Sequence, residues 1–153
     1  MQKYILYFFF TLSYVMSNLA VADEINISSN ELHIDRVEKV SVFTGDVYAW
    51  DDKFKIWSDR LIVEFTENEK EINIIIAEEN VKIIKDEMKI NGDKAIYYPS
   101  EEKLNTSGNV QVDNNGNLIN CDELTLDLEN SISIMKSDSS KRVEAIILIE
   151  GSL

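Results

Sequence analysis

The stretch GNVQVDNNGNLINCDELTLDL, residues 108–128, holds in one piece the pattern that decides the fold. Leu124, Leu126 and Leu128 alternate with polar residues, the period of two of a strand with one buried face. Between its two halves lies the turn cluster Asn114-Asn115-Gly116-Asn117. Asn115-Gly116 is the strongest hairpin signal in the chain, because both residues tolerate positive φ. Cys121-Asp122-Glu123-Leu124 then gives a small residue, Asp, any residue and an aliphatic. Val110 stands twelve residues before Asp122 and follows Asn109.

These features recur. The tetrapeptide has earlier copies at Ser29-Asn30-Glu31-Leu32, Ser58-Asp59-Arg60-Leu61 and Gly92-Asp93-Lys94-Ala95, so its Asp or Asn positions are 29, 34 and 29 residues apart. Val47 and Val81 precede Asp59 and Asp93 by twelve residues and follow Asp46 and Asn80. Alternation also runs through Phe43, Gly45, Val47 and Ala49, through Leu61, Val63 and Phe65, and through Ile72, Ile74 and Ile76. It resumes at Ile132 and Ile134 and at Val143, Ala145, Ile147 and Ile149. Turn clusters at residues 51–52, 67–69 and 85–87, and Pro99-Ser100, separate the runs. A period near 30 predicts stacked strand units, each too small to bury its own apolar face. The expected fold is all-β: an elongated, folded-over antiparallel sheet of stacked repeats, open at both ends.

Residues 1–22 read as a leader and are set aside before fold reasoning. Lys3 gives a positive start, residues 4–16 are apolar, and Ala20-Val21-Ala22 supplies a small-residue cleavage pattern. Residues 4–22 are also just long enough to span a bilayer as an uncleaved anchor, which needs about 20 residues. The Ala-x-Ala ending favours cleavage near Ala22 and a single domain over residues 23–153. Loss of Lys3, the only charged residue of the leader, takes the formal charge from −13 to −14. So acidic a chain repels nucleic acid and anionic membrane surfaces as partners held by charge.

No catalytic constellation emerges, and the expectation is a non-enzyme without cofactor or metal. One cysteine, Cys121, excludes an internal disulfide, and its slot in the repeat is shared with Ser29, Ser58 and Gly92, a position chosen for small size. His33 is the only histidine and lies on the parity opposite Leu32 and Ile34, a solvated face. It leaves no multi-histidine site and no base paired with a nucleophile. Asp59, Asp93 and Asp122 could form a ladder of metal ligands, but hard cations need six or more clustered oxygens. Asp and Asn before a strand also act as turn formers that bond their own backbone. Trp50 and Trp57 flank the turn at Asp51-Asp52 and are expected to pair across its strands. What remains is an aliphatic inner face: a closed core, or a slot for acyl chains if the leaves are splayed.

At this point the chain resembles the LptA (OstA-like) family of periplasmic lipopolysaccharide-transport proteins. The resemblance rests on Ile25-Asn26-Ile27-Ser28-Ser29-Asn30 through Leu32, on Val42-Phe43-Thr44-Gly45-Asp46-Val47 and on Ile56 through Asp59 to Val63. It continues at Gly108-Asn109-Val110, Asp122-x-Leu124-x-Leu126 and residues 141–148. It departs at Glu78-Glu79-Asn80-Val81, where the motif has glycine. The resemblance implies a β-jellyroll holding the acyl chains of lipid A between its leaves. The inner-face candidates are Ile25, Ile27, Phe43, Val47, Phe65, Val81, Ile83, Tyr97, Val110 and Leu126. It also implies head-to-tail copies and docking on an inner-membrane LptC-like component and an outer-membrane LptD-like translocon. The edges expected to serve are Ile25, Asn26, Ile27 and Ser28 at one end and Val143, Ala145, Ile147 and Ile149 at the other, since an unpaired strand edge templates another chain. If the leader is an anchor, the inner-membrane LptC-like component of the same fold is the alternative.

Overall fold

A computed structural model describes residues 24–68, 70–138 and 140–148. The leader and Ile149 lie outside these residues. Ten strands form one antiparallel sheet: β1 (Asn26–Ser28), β2 (Glu31–Asp35), β3 (Val40–Trp50), β4 (Lys55–Phe65), β5 (Ile72–Lys85), β6 (Met88–Tyr98), β7 (Lys103–Asn114), β8 (Asn117–Asp127), β9 (Ile132–Lys136) and β10 (Glu144–Ile146). The order is β1-β3-β4-β5-β6-β7-β8-β10, with β2 also paired to β3 and β9 to β8. A single 3-10 turn, Pro99–Glu101, joins β6 to β7. The expected turns at 51–52, 85–87 and 114–117 all fall at or between strand ends.

Among the described residues no α-helix lies over the sheet, so the sheet must cover itself. Lys55 pairs with Ile84 while Tyr97 pairs with Ile75, nine residues away along β5, or about 30 Å on a straight strand. Yet the rings of Phe54 and Tyr97 meet edge to face at 4.8 Å. Lys53 Nζ likewise donates to Glu102 Oε1 at 2.9 Å, joining turns from opposite margins of the sheet. The sheet is therefore folded in two across the middle of every long strand. Leaf one comprises β2, residues 40–44, 60–65, 72–78, 94–98, 103–107 and 123–127, and β9. Leaf two comprises β1, residues 47–50, 55–57, 81–85, 88–91, 110–114 and 117–121, and β10.

The repeated tetrapeptides make the crease. They were expected as turns ahead of strands; instead Asp59, Asp93 and Asp122 sit inside β4, β6 and β8, where the pairing register shifts. On the neighbouring strands two successive residues take positive φ: Gly45-Asp46, Glu79-Asn80 and Gly108-Asn109. Gly, Asn and Asp tolerate that region best, so the chain bends there at least cost. Amide and carboxylate then pair across the crease: Asn30 Nδ2 donates to Asp46 Oδ2 at 3.2 Å, Asn80 to Asp59 at 2.6 Å and Asn109 to Asp93 at 2.8 Å. Asp122 accepts from the Asp138 backbone N–H at 2.9 Å and from Lys141 Nζ at 2.8 Å. These bonds hold its carboxyl below the usual carboxylate range, the Lys141 bond foremost. The Asp row is thus engaged by donors that close the bend.

The small slot also acquires its reason. Ser58, Gly92 and Cys121 lie directly opposite Val47, Val81 and Val110, where the leaves converge on the crease. A Cβ on Gly92 would stand 2.6 Å from Thr106 Cγ2. Cys121 is buried, and desolvation first, then the charge of Asp122, pushes its thiol pKa up, away from reactivity.

Two details correct the sequence reading. Along β5 the inward residues are Ile75 and Ala77, whereas Ile74 and Ile76 face outward. In an unbroken isoleucine run the alternation carries no parity, and the irregular step between Glu64 and Phe65 resets it. Trp50 and Trp57 do not oppose each other, since Trp57 pairs with Tyr48 and Trp50 with Lys55. Tyr48 stacks on both indoles at 4.7 and 4.8 Å, and Lys82 Nζ lies 5.4 Å from the Trp57 ring.

Candidate functional site

The apolar inner faces of the two leaves form a single cluster running from β1 to β9. All ten inner-face candidates belong to it. Val47, Val81, Ile83, Tyr97, Val110 and Leu126 are buried, while Ile25, Ile27, Phe43 and Phe65 are only partly covered and pack at the β1 end. In the middle of the sheet the leaves touch: Ile83, Ile90 and Leu104 are 0% exposed. Among the described residues, Thr106 Oγ1 and Asn105 Oδ1 are buried atoms without a hydrogen-bond partner. Thr106, Ser41 and Ser58 are the buried polar side chains on this otherwise largely aliphatic surface among the described residues.

The ends differ from the middle. Leu32 and Ile34 pair with the inner-face residues Phe43 and Ser41, so they point inward, yet they are 49% and 58% exposed. They belong to leaf one, and nothing from leaf two roofs them. At the opposite end Ala145 pairs with inward Ile119 on leaf two and is exposed, as are Val143, Ile147 and Leu148. The uncovered inner surface is therefore diagonal: leaf one at the first edge, leaf two at the last. Sequence reasoning missed Leu32 and Ile34 as site residues, although their register to Phe43 follows from the hairpin between β2 and β3. Both edges are also broken in two, because the crease passes through them. The edge expected over residues 25–28 is β1 on leaf two plus β2 on leaf one, and Ile25 itself precedes the strand. The edge expected over residues 143–149 is β10, of three residues, plus β9. Ile132 and Ile134 on β9 face outward and Met135 packs inward.

Three hollows adjoin this interior. One of about 250 Å³ lies on uncovered leaf one, among Ile34, Arg36, Lys39 and Phe65. One of about 510 Å³ opens between the leaves at their margin, between residues 85–88 and 126–133. The largest, about 660 Å³, lies at the last crease beside Cys121, Asp122, Lys141 and Arg142. Among the described residues no helix is long and apolar enough to cross a membrane. Nor do three or more His, Cys, Asp or Glu gather as they would around a metal ion.

The family described as LptA/(LptD N-terminal domain) LPS transport protein matches residues 26–132. The chain belongs to this family. The LptA-like assignment extends to the fold: the crystal structure of LptH, the LptA homologous periplasmic component of the lipopolysaccharide transport device of Pseudomonas aeruginosa, superposes with a TM-score of 0.73. That likeness covers 83% of this chain and 96% of LptH at 13% identity, so it speaks for the fold alone. No curated protein matches the chain in sequence. The architecture is the LptA-like jellyroll, an open antiparallel sheet folded on itself, and the family is one of transport proteins rather than enzymes.

Proposed function

We propose that this LptA-like protein carries lipopolysaccharide through the periplasm, sheltering the acyl chains of lipid A between its leaves. The observation that carries this reading is the apolar inner surface, continuous from Ile27 to Met135 and uncovered at both ends. Acyl chains entering there bury about 0.8 kcal/mol of transfer free energy per methylene. With a net charge of −13 on the whole chain, attraction to the phosphates of lipid A contributes little, so affinity rests on the chains. Where Ile83 and Leu104 are fully buried, the leaves must part to admit a chain, and the crease is the natural hinge. In this reading the leader is cleaved near Ala22, copies join head to tail, and the ends dock on an inner-membrane LptC-like component and an outer-membrane LptD-like translocon. Free backbone groups on the edges formed by β1 with β2 and by β9 with β10 supply the pairing surface.

A photo-crosslinker placed at Ile83 or Tyr97 captures lipopolysaccharide in living cells, while the same group at outward-facing His33 does not. Equal labelling at the three positions overturns the internal slot. The apolar length of residues 4–22 favours a second reading, an anchored LptC-like component of the same fold. Mass analysis of the exported chain separates the two: an N-terminus at Asp23 supports the carrier, and a retained Met1 supports the anchor.

A further inference from the structure

Inside the chain the two leaves meet with a fixed offset. The leaf-two hairpin between β3 and β4 meets the leaf-one turn between β6 and β7, three strands further on. Phe54 packs there on Tyr97 at 4.8 Å, and Lys53 pairs with Glu102 at 2.9 Å. The next leaf-two hairpin, between β5 and β6, keeps the offset, since residues 85–88 share a hollow with residues 126–133 of the turn between β8 and β9. The twist of the sheet, accumulated from strand to strand, skews one leaf over the other in this way.

One step further the offset runs off the end of the chain. The third leaf-two hairpin, at Asn115-Gly116 between β7 and β8, has no turn three strands on among the described residues. At the other end the leaf-one turn between β2 and β3, residues 36–39, has no hairpin three strands before it among the described residues. Counting the two halves of each broken edge as one strand position, the missing partner of each is the other, on a neighbouring copy.

We infer that when two copies join, the Asn115-Gly116 hairpin of one clasps the 36–39 turn of the next across the leaves. The inference rests on the end-to-end reading and adds which tips meet. Both tips have the required chemistry. Val37 is 86% exposed and Ile34 58% exposed on the turn side. On the hairpin side Leu148 lies against Gly116, close enough that a Cβ there would stand 2.7 Å from Leu148 Cδ1, and it is 63% exposed. The same clasp is made within the chain by Phe54 on Tyr97. Its consequence is a continuous interior: the uncovered leaf one of the second copy roofs the uncovered leaf two of the first. Leu32 and Ile34 then face Ala145 across the joint, and a chain crossing from copy to copy stays out of water.

The test uses single cysteines in a Cys121→Ala background. Val37→Cys chains bearing one tag are mixed with Asn115→Cys chains bearing another, mildly oxidised and resolved without reductant. A two-tag dimer is expected. Val37→Cys mixed with Glu87→Cys, whose hairpin already faces the turn between β8 and β9 of its own chain, is expected to give at least tenfold less. Equal yields from the two mixtures, or none from either while sedimentation shows concentration-dependent chains of copies, overturn the clasp and leave end-to-end assembly standing. A protein that sediments as a monomer at every concentration removes the end-to-end reading itself.

Discussion

The middle of the sheet and its two edges carry the same alternation of apolar and polar residues, and the fold uses it in opposite ways. On β5, β6 and β7 the inward residues are pressed against the other leaf until Ile83, Ile90 and Leu104 lose all exposure. On β2 and β10 inward residues stay exposed, because the skew of the leaves leaves them without a roof. Burial follows from position in the stack rather than from hydrophobicity: Leu32 and Leu104 are the same side chain. The middle therefore holds the fold together, and the ends hold apolar surface in reserve for a ligand or a neighbour.

The sharpest way to break this comparison is to truncate one leucine or isoleucine in each region. Leu104→Ala, in the middle, is expected to cost about 2–5 kcal/mol, because the surrounding leaves cannot collapse fully into the cavity. Ile34→Ala, at the edge, is expected to cost less than about 0.5 kcal/mol in the dilute monomer. Urea unfolding of the two variants measures both, and equal losses would mean that leaf one is roofed at its first edge after all.

The crease is the next target. Gly92→Ala drives a Cβ into Thr106 Cγ2, and overpacking of this kind costs about 1–3 kcal/mol. Adding Thr106→Ser removes the opposing methyl and should recover part of the loss, a coupling that a double-mutant cycle in denaturant reads directly. No recovery would place the conflict elsewhere.

Glu79 sharpens the comparison among creases. Where the other two bends have Gly45 and Gly108, β5 has Glu79 at φ 66. Holding a side chain there costs about 1 kcal/mol, so Glu79→Gly is expected to raise the thermal midpoint, whereas Gly108→Ala lowers it. In Gly108→Ala the new Cβ would also stand 2.4 Å from Asp93 Oδ2.

The smallest effect is electrostatic. On the outer face Glu78 accepts from Arg60 at 2.8 Å and from Lys94 at 2.9 Å, across β4, β5 and β6. The Lys94 bond foremost, with Arg60 assisting, holds its carboxyl below the ordinary value of 4.5 against the opposing pull of burial. A depressed folded pKa contributes stability above the unfolded value and loses it as pH falls through the folded one. Glu78→Gln should therefore be less stable than the parent near neutrality by at most about 1 kcal/mol. The difference should fade below pH 4.5. A difference that persists in acid would assign the loss to packing instead.

Much of this was legible in the residues. Asn115-Gly116 is a two-residue hairpin where the sequence placed one, and the four tetrapeptides recur at one structural level. The crease was not read, though a signal for it was present: inward parity runs through Ile56 and Ser58, then resumes one position later at Leu61 and Val63. Such a slip marks a bulge inside a strand, and turn-forming Asp beside it reads equally well as the end of one. The ten inner-face residues were chosen by parity and repeat position, and they share one surface. Ile74 and Ile76 were assigned to the wrong phase because a run of isoleucines has no phase of its own, whereas Ile72 does pack on the core.

What the sequence determined by itself is local: strands by their period of two, turns by residues that accept positive φ, a repeat near 30 residues and a strongly acidic surface. These depend on neighbours along the chain. What only the tertiary structure decided is which apolar residues are covered. That depends on the angle and offset at which one leaf crosses the other, a sum of small twists over eight strand positions that no single residue encodes. Leu32, Ile34 and Ala145 look like core in the sequence. They lie at the diagonal ends of a skewed fold, where their own chain supplies no roof.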